Sequence, residues 1–326
     1  ICKKYVRHFS DILGPDKDIT APAVGTSERE MDWMTAEYKS INPGKPYRGS
    51  FTGKSVVNGG SLGRREATGK GVYYSFRYMM HDFIKENEQW LSRSGNPFAN
   101  TILQYVDKQL TLAFQGFGNV GSTAALEAYQ CKNLNKKIIA VSDRNVTLYN
   151  EEGLNIPVLA DFARSNQGEL PVTEEQLEQC GIKAEIRPRE DILYLDVDVL
   201  FLAALSDQIH QDNMEYVKAR ILVEGANAPI TGEADQYFNE QGRMIIPDIL
   251  ANAGGVIVSY FEWLQDRDTQ FYTEETVFSM LRDKMKNTFN RVLPQHFSDS
   301  YSLRQNCYIH AVSRLSTILY THGKLY

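Results

Sequence analysis

The chain has 326 residues, of which 42% are hydrophobic and 23% charged, and its net charge is −6. This length corresponds to about two domains of roughly 150 residues, and the composition is that of an ordinary globular protein, which excludes a disordered or fibrous chain. Because the balance is acidic and Lys and Arg are scattered, we expect no nucleic-acid partner.

The four cysteines are far apart and show no C-x-x-C spacing. They fit a reducing compartment better than a disulfide framework, and we expect no metal site. No apolar run approaches the roughly 20 residues that cross a bilayer. We therefore expect a cytoplasmic protein without a membrane segment.

The first hundred residues are predicted to be mostly helical. Amphipathic spacing indicates a helix within residues 1–14. Ser27 and Glu30 form a capping box, which predicts a helix over residues 28–38. Residues 40–62 contain several Gly and Pro and should be mostly loop. A long amphipathic helix should follow and end near position 91, before a turn or short insertion.

The centre of the chain has the pattern of a strand, a glycine turn, a helix and a second strand. The apolar run 110–114 leads into a G-x-G-x-x-G motif at residues 116–121, then an Ala-rich segment, and then a second predicted strand at 136–143 with the apolar centre 138–141. A G-x-G-x-x-G motif between a strand and a helix has a physical reason to bind a dinucleotide, whereas the same motif alone often occurs by chance. The pattern therefore predicts dinucleotide binding, with a glycine turn that only packs the unit as the alternative.

Each glycine of the motif has a separate physical role. Gly116 permits the tight turn, Gly118 lets a pyrophosphate approach the backbone, and Gly121 lets the helix pack closely on the strand. The amino end of the following helix offers free N–H groups to the phosphates. Asp143 lies about 20 residues further on, as a ribose-binding carboxylate does.

The remaining pattern alternates strands and helices, which is typical of a doubly wound α/β fold. Further strands are predicted at residues 183–187, 197–203, 221–224 and 244–246, and helices at 174–179, 213–218, 232–241, 251–265, 273–292 and 303–322.

Five motifs carry a family resemblance. They lie, in order, at residues 60–69, 116–121, 224–229, 247–256 and 259–263. Together they resemble the glutamate/leucine/phenylalanine/valine dehydrogenase family, and within it most of all the glutamate dehydrogenases. The resemblance implies a Rossmann-like NAD(P)-binding domain at residues 60–282. It also implies a partial substrate and oligomerisation domain at 1–59, with C-terminal helices 283–326 packing back on that first domain.

The resemblance also implies roles for single residues. Thr68 corresponds to a threonine that reaches the nicotinamide carboxamide, and Ser259 to a serine that contacts the side-chain carboxylate of glutamate. The predicted cofactor-binding residues are Thr68, Gly116, Gly118, Asn119, Val120, Gly121, Ser142, Asp143, Asn227 and Asn252. Each role has a purely structural alternative. The hydroxyls of Thr68 and Ser259 could hydrogen-bond the backbone of their own helices, and Asn227 and Asn252 could form Asx-turns.

The choice between NAD and NADP rests on Asp143. A carboxylate there bonds the 2′-hydroxyl of NAD and repels the 2′-phosphate of NADP, which favours NAD. Ser142 and Arg144 lie beside it and could accommodate a phosphate, so that use of both cofactors stays open.

The chain departs from the family at a catalytic position. In the segment 18–26, Ala23 stands where the family has its catalytic Asp. A methyl group cannot transfer a proton, and general acid–base groups each supply about 10² to 10⁴ of rate. The catalytic lysine of the family belongs to a lobe that precedes this segment, so we expect an N-terminally truncated chain that lacks both groups. We also expect exposed apolar surface around Met31, Trp33 and Met34.

Three interpretations follow. The first is a fragment of a glutamate dehydrogenase, which converts L-glutamate to 2-oxoglutarate and ammonia with NAD or NADP; alone it would be weakly active or inactive. The second is a degenerate homologue that serves as a nucleotide-binding or partner-binding subunit. The third is a different oxidoreductase on the same scaffold. The resemblance further implies a homo-oligomer, since members of the family are commonly hexamers.

Overall fold

The computed structural model describes residues 1–23 and 25–324, and in them the chain forms an α/β fold. Their contacts group into two units, residues 1–68 with 254–284 and residues 69–253 with 285–326. This grouping differs from the predicted segments 1–59, 60–282 and 283–326, since the last segment falls largely with the sheet. The assignment of functional domains stays a prediction.

The larger unit is built on one seven-stranded sheet in the described residues. Its strands are β1 (Leu110–Gln115), β2 (Lys136–Ser142), β3 (Val146–Tyr149), β4 (Glu185–Pro188), β5 (Val199–Leu202), β6 (Ile221–Glu224) and β7 (Met244–Ile246). The order is β4-β3-β2-β1-β5-β6-β7; β1, β2, β5, β6 and β7 run parallel, while β3 is antiparallel to both of its neighbours. The chain thus crosses from β1 to one side and later to the other, which confirms the predicted doubly wound α/β fold.

Helices account for most of the remaining regular structure. In chain order they are α1 (Cys2–His8), α2 (Glu28–Ile41), α3 (Ala67–Arg77), α4 (Ile84–Arg93), α5 (Pro97–Leu103), α6 (Asn119–Gln130), α7 (Ile156–Ser165), α8 (Glu174–Gln179), α9 (Gly232–Glu240), α10 (Asp248–Ala251), α11 (Gly254–Asp268), α12 (Glu274–His296) and α13 (Leu303–Thr321). The long helix predicted to end near residue 91 is present, with a π-helical stretch at Tyr78–Phe83 between α3 and α4.

The sheet is buried in an apolar core. All four residues of β5 are buried, as the nearly continuous apolar run predicts for a central parallel strand. Phe114 of β1 stacks on Phe201 of β5 with ring centroids 4.3 Å apart, and Phe76 of α3 meets Phe201 edge-on at 5.3 Å. These rings fix the middle of the sheet, from which the glycine turn emerges.

Several local predictions were wrong. Residues 213–218, predicted as a helix, contain only a 3₁₀ turn at Met214–Tyr216, and β3 and α7 were not predicted. The expected turn after position 91 contains α5. Its start follows a recognisable rule, because the Asn96 side chain accepts hydrogen bonds from the backbone of residues 98 and 99 while Pro97 takes the first helical position.

The smaller unit packs α1 against α2. The capping box that begins α2 is confirmed, since the backbone N–H of Ser27 donates to Oε2 of Glu30 at 2.8 Å. Met31 and Met34 belong to the buried core of this unit, with 1% and 6% of their surface exposed. The expectation of exposed apolar surface was therefore wrong for these two, because α1 lies against their face of α2, and right for Trp33, which is 47% exposed.

No helix in residues 1–23 and 25–324 is long and apolar enough to cross a membrane.

Candidate functional site

The glycine turn lies at the carboxyl end of β1. Gly116 has φ +88°, and an ideal Cβ on it would lie 2.7 Å from the carbonyl oxygen of Ala203. A Cβ on Gly121 would collide with the carbonyl oxygen of Gly116. Both positions thus require glycine, one for its backbone conformation and one for the close approach of α6 to the strand.

Gly118 differs because the space beside it is open. It is the N-cap of α6, and a glycine has no side chain with which to cap the helix. No heavy atom lies within 4 Å of an ideal Cβ on Gly118, and the residue is exposed. Asn119 and Val120 begin the helix that starts here. The turn therefore presents the positive end of α6 to an accessible space that suits an anion.

The two residues predicted at the end of β2 have clear structural partners. Ser142 is buried, and its Oγ accepts a hydrogen bond from the N–H of Gly116 at 3.4 Å. The Asp143 carboxylate accepts from the N–H groups of Asn145, Val146 and Leu170 at 2.7, 2.9 and 2.8 Å. Asp143 is half-buried and fixes the β2–β3 turn, and its contact with a ribose stays a prediction.

Two predicted asparagines meet at the same edge of the sheet. Asn227 follows β6, and Asn252 is the C-cap of α10, which follows β7. Nδ2 of Asn252 donates to Oδ1 of Asn227 at 2.7 Å. Since ligands of open α/β sheets bind beyond the carboxyl ends of the strands, the pair lies where a cofactor contact is expected.

In the smaller unit, Ser259 lies on α11 and faces a hydroxyl that the sequence analysis missed. Its Oγ is 2.5 Å from Oγ1 of Thr52. Glu262, one turn further along α11, accepts hydrogen bonds from the N–H groups of Gly53 and Lys54 at 2.8 and 3.2 Å. The spacing of the polar residues 259, 262 and 266 on one face of α11 is the signal that could have indicated a polar partner segment.

Lys54 is buried together with two carboxylates. Its Nζ donates to Glu262 at 2.7 Å, to Asp266 at 2.8 Å and to the carbonyl oxygen of Phe51 at 2.6 Å, and the three charged side chains are fully buried. Burial raises the pKa of Asp266, and Lys54 opposes that shift. All three donor positions of the ammonium are thus occupied by protein acceptors.

Thr68 lies against the amino end of α11. An ideal Cβ on Gly255 would lie 2.5 Å from Oγ1 of Thr68 and 3.4 Å from Nη1 of Arg64. Nε of Arg64 is buried without a hydrogen-bond partner in the described part of the chain. A hydroxyl and a guanidinium therefore lie beside this end of α11, and the nicotinamide role of Thr68 stays a prediction.

Ala23 is exposed, and its backbone N–H donates to Oγ1 of Thr26 at 2.8 Å. The preceding Pro22 lies against Gly53, since an ideal Cβ on Gly53 would be 2.5 Å from the proline ring. The segment that carries Ala23 is thereby adjacent to the segment that carries Thr52. Among the described residues, no cluster of His, Cys, Asp and Glu could hold a metal ion.

Comparisons with known proteins place the chain in one family. Residues 59–323 match the family described as glutamate/leucine/phenylalanine/valine dehydrogenase, and residues 1–40 match the dimerisation domain of that family. An NADP-specific glutamate dehydrogenase from Synechocystis is 37% identical over 99% of this chain and 70% of its own length. The catabolic NAD-specific glutamate dehydrogenase RocG from Bacillus subtilis is 35% identical over 96% of this chain and 66% of its own length.

Solved structures lead to the same family. The hetero-hexameric glutamate dehydrogenase from Thermus thermophilus, in its leucine-bound form, superposes with a TM-score of 0.76 at 27% identity, over 96% of this chain and 67% of that one. The chain thus spans about two thirds of the length of these relatives. From its two matched regions and these relatives, the chain belongs to the glutamate/leucine/phenylalanine/valine dehydrogenase family.

Proposed function

We propose that the chain binds NAD or NADP at the carboxyl edge of its sheet, as the nucleotide-binding part of a glutamate dehydrogenase. The observation that carries this proposal is the open space at Gly118, where the amino end of α6 follows the glycine turn. The asparagine pair Asn227 and Asn252 supports it from the other side of the sheet centre.

The cofactor preference depends on charge at the end of β2. The Asp143 carboxylate already accepts three backbone hydrogen bonds, which leaves one lone pair on Oδ2 for a ribose hydroxyl. Arg144, which could attract a 2′-phosphate, forms an ion pair with Glu169. Both features favour NAD, although one of the relatives described above is NADP-specific and another NAD-specific.

The proposed substrate pair is L-glutamate and 2-oxoglutarate. The hydroxyls of Ser259 and Thr52 can both donate to a carboxylate, and a carboxylate would replace the hydrogen bond that they share. An apolar side chain would leave these hydroxyls without that partner, so the pair favours an acidic substrate. A bound nicotinamide would supply the acceptor for the hydride that leaves the substrate Cα. Water would then hydrolyse the oxidised amino acid to 2-oxoglutarate and ammonia.

Proton transfer is the step for which we propose that the described residues supply no group at the family's catalytic position. Ala23 cannot carry a proton. Lys54 cannot replace a basic amine, because it is buried and hydrogen-bonded to three acceptors. We therefore propose that the polypeptide alone is weakly active or inactive, and Ala23 also favours a second candidate function, a nucleotide-binding or partner-binding subunit without turnover.

Two measurements on the purified chain test the proposal. Titration calorimetry should show saturable binding of NADH, and absorbance at the NADH band should show little glutamate-dependent reduction of NAD. Absence of NADH binding would refute the nucleotide site. Rapid turnover would refute the loss of proton transfer and require a group other than Ala23.

A further inference from the structure

A single arginine on α13 contacts three carboxylates that come from three other elements. Arg304 donates from Nη2 to Glu224 at 2.7 Å, from Nε to Asp235 at 3.0 Å and from Nη1 to Asp248 at 2.9 Å. Glu224 is fully buried at the end of β6, Asp248 begins α10 after β7, and Asp235 lies on α9. The guanidinium therefore links the ends of two adjacent strands to the C-terminal helix.

Two of these carboxylates also hold the backbone of the loops beyond the strands. Oε2 of Glu224 accepts the N–H of Asp248 at 2.7 Å. Oδ2 of Asp248 accepts the N–H of Ala228 at 2.8 Å, and Ala228 has φ +44°, a conformation that alanine rarely adopts. The loop after β6 is thus held in a strained conformation by a carboxylate that Arg304 orients.

The predicted cofactor asparagines lie at the ends of this network. Asn227 directly precedes the strained Ala228, and Asn252 ends the helix that Asp248 begins. Their mutual hydrogen bond of 2.7 Å requires both loops to keep their places. The guanidinium of Arg304 donates to the three carboxylates and not to the asparagines, so any influence on the cofactor passes through Glu224 and Asp248.

We propose that Arg304 is a positioning residue for the nicotinamide half of the bound dinucleotide. This inference rests on the proposed nucleotide function. The glycine turn and Asp143 follow β1 and β2, whereas Asn227 and Asn252 follow β6 and β7, on the other side of β5. A dinucleotide lies across the point where the strand order reverses, so the two sets of residues meet different halves of it. Arg304 therefore positions the residues that meet the half of the dinucleotide beyond β5.

A purely structural salt bridge would make a different prediction. Loss of a structural anchor would weaken the whole unit and affect every nucleotide alike. A positioning residue affects only the ligand that reaches the asparagines. ADP carries the adenosine and both phosphates but no nicotinamide, so it needs the residues after β1 and β2 alone. Comparison of ADP with NADH therefore separates the two roles.

The experiment uses the full chain at pH 8 and the variants Arg304→Lys and Arg304→Gln. The lysine variant keeps the charge but cannot contact three carboxylates in the planar fork, and it covers the case in which the glutamine variant does not fold. Arg314→Gln, on the exposed part of the same helix, is the matched control. We expect the dissociation constant for NADH to rise about tenfold in the Arg304 variants, with that for ADP and both constants of Arg314→Gln unchanged.

The outcomes are distinct. A folded Arg304→Lys protein with unchanged NADH affinity, or with equal losses for ADP and NADH, would overturn the positioning role. If the unmodified chain bound no NADH, the proposed function itself would fail and this inference with it.

Discussion

Gly118 is the residue at which a side chain should most directly exclude a phosphate. Gly118→Val places three carbons in space that is open in the structure, so we expect NADH affinity to fall by at least about tenfold. Gly232→Val is the matched control, because Gly232 also lies at the amino end of a helix with no atom within 4 Å of its Cβ. Calorimetric titration of both variants checks the prediction, and equal affinities would remove the turn from the site.

Glu224 should make stability depend on pH. Burial raises its pKa from 4.5 to about 7, against the opposing effect of Arg304, and its Oε1 is buried without a hydrogen-bond partner in the described residues. The folded state therefore holds this proton more tightly than the unfolded chain does. Ionisation of Glu224 therefore lowers the free energy of unfolding. This loss is absent well below pH 4.5, grows as the pH rises to 7, and reaches roughly 3 kcal/mol above it.

Urea unfolding of the wild type and Glu224→Gln between pH 4.5 and 8.5 tests this sign. The charged groups that face Glu224 are Arg304 on α13 and Asp248 on α10, and both are the same in the two proteins. We expect the variant to gain stability relative to the wild type as the pH rises. A constant difference across the range would show that Glu224 does not titrate there.

At the scale of single residues, the sequence predicted those roles that are set by residues nearby in the chain. The roles of Gly116 and Gly121 follow from a motif six residues long, and the structure shows the close contacts that exclude a Cβ. Asp143 illustrates the opposite case. Its position was predictable, but its bond to the N–H of Leu170 joins residues 27 apart, and no local pattern indicates it.

At the scale of elements, the strands of the parallel sheet were predictable because they are continuous apolar runs. β3 was missed because it is short and follows directly on the turn that Asp143 closes. The pairing of α11 with residues 51–54 could not be predicted, since its partners are more than 200 positions apart. Buried charges add to the difficulty, because Lys and Glu are rarely buried unless they are paired.

The contact between α11 and residues 51–54 should depend on Lys54. Lys54→Met leaves the carboxylates of Glu262 and Asp266 buried without their cation, which we expect to cost about 3–5 kcal/mol of folding free energy. Lys45→Met is the control, because Lys45 is exposed and its Nζ donates a hydrogen bond to Asn42 at the surface, away from any buried carboxylate. Urea unfolding of the two variants measures the difference.

A second variant separates the two ways in which Lys54→Met could lower stability, through unpaired buried charge or through altered packing. Lys54→Met combined with Glu262→Gln and Asp266→Asn removes both unpaired charges and should restore part of the loss. If Lys54→Met were as stable as Lys45→Met, the cluster would not hold α11 in place.

At the scale of the whole molecule, we expect the exposed apolar residues near the start of the chain to pair with another copy of the chain. Residues 1–40 match a dimerisation domain, and within them Tyr5, Ile12 and Trp33 are exposed. Large exposed apolar surface in a protein usually marks an interaction site. The hexameric assembly of the Thermus thermophilus relative supports the same expectation.

Trp33→Glu tests this association. Trp33 is 47% exposed on α2 and carries Arg29 over its ring at 5.0 Å, so a carboxylate there keeps a local cationic partner while it opposes burial against another copy. Tyr129→Glu, at a position 48% exposed near the end of α6 and outside residues 1–40, is the matched control. Sedimentation velocity should show an oligomer for the wild type and Tyr129→Glu and a smaller species for Trp33→Glu. A wild-type monomer, or equal assembly of all three proteins, would show that this surface does not pair with another copy.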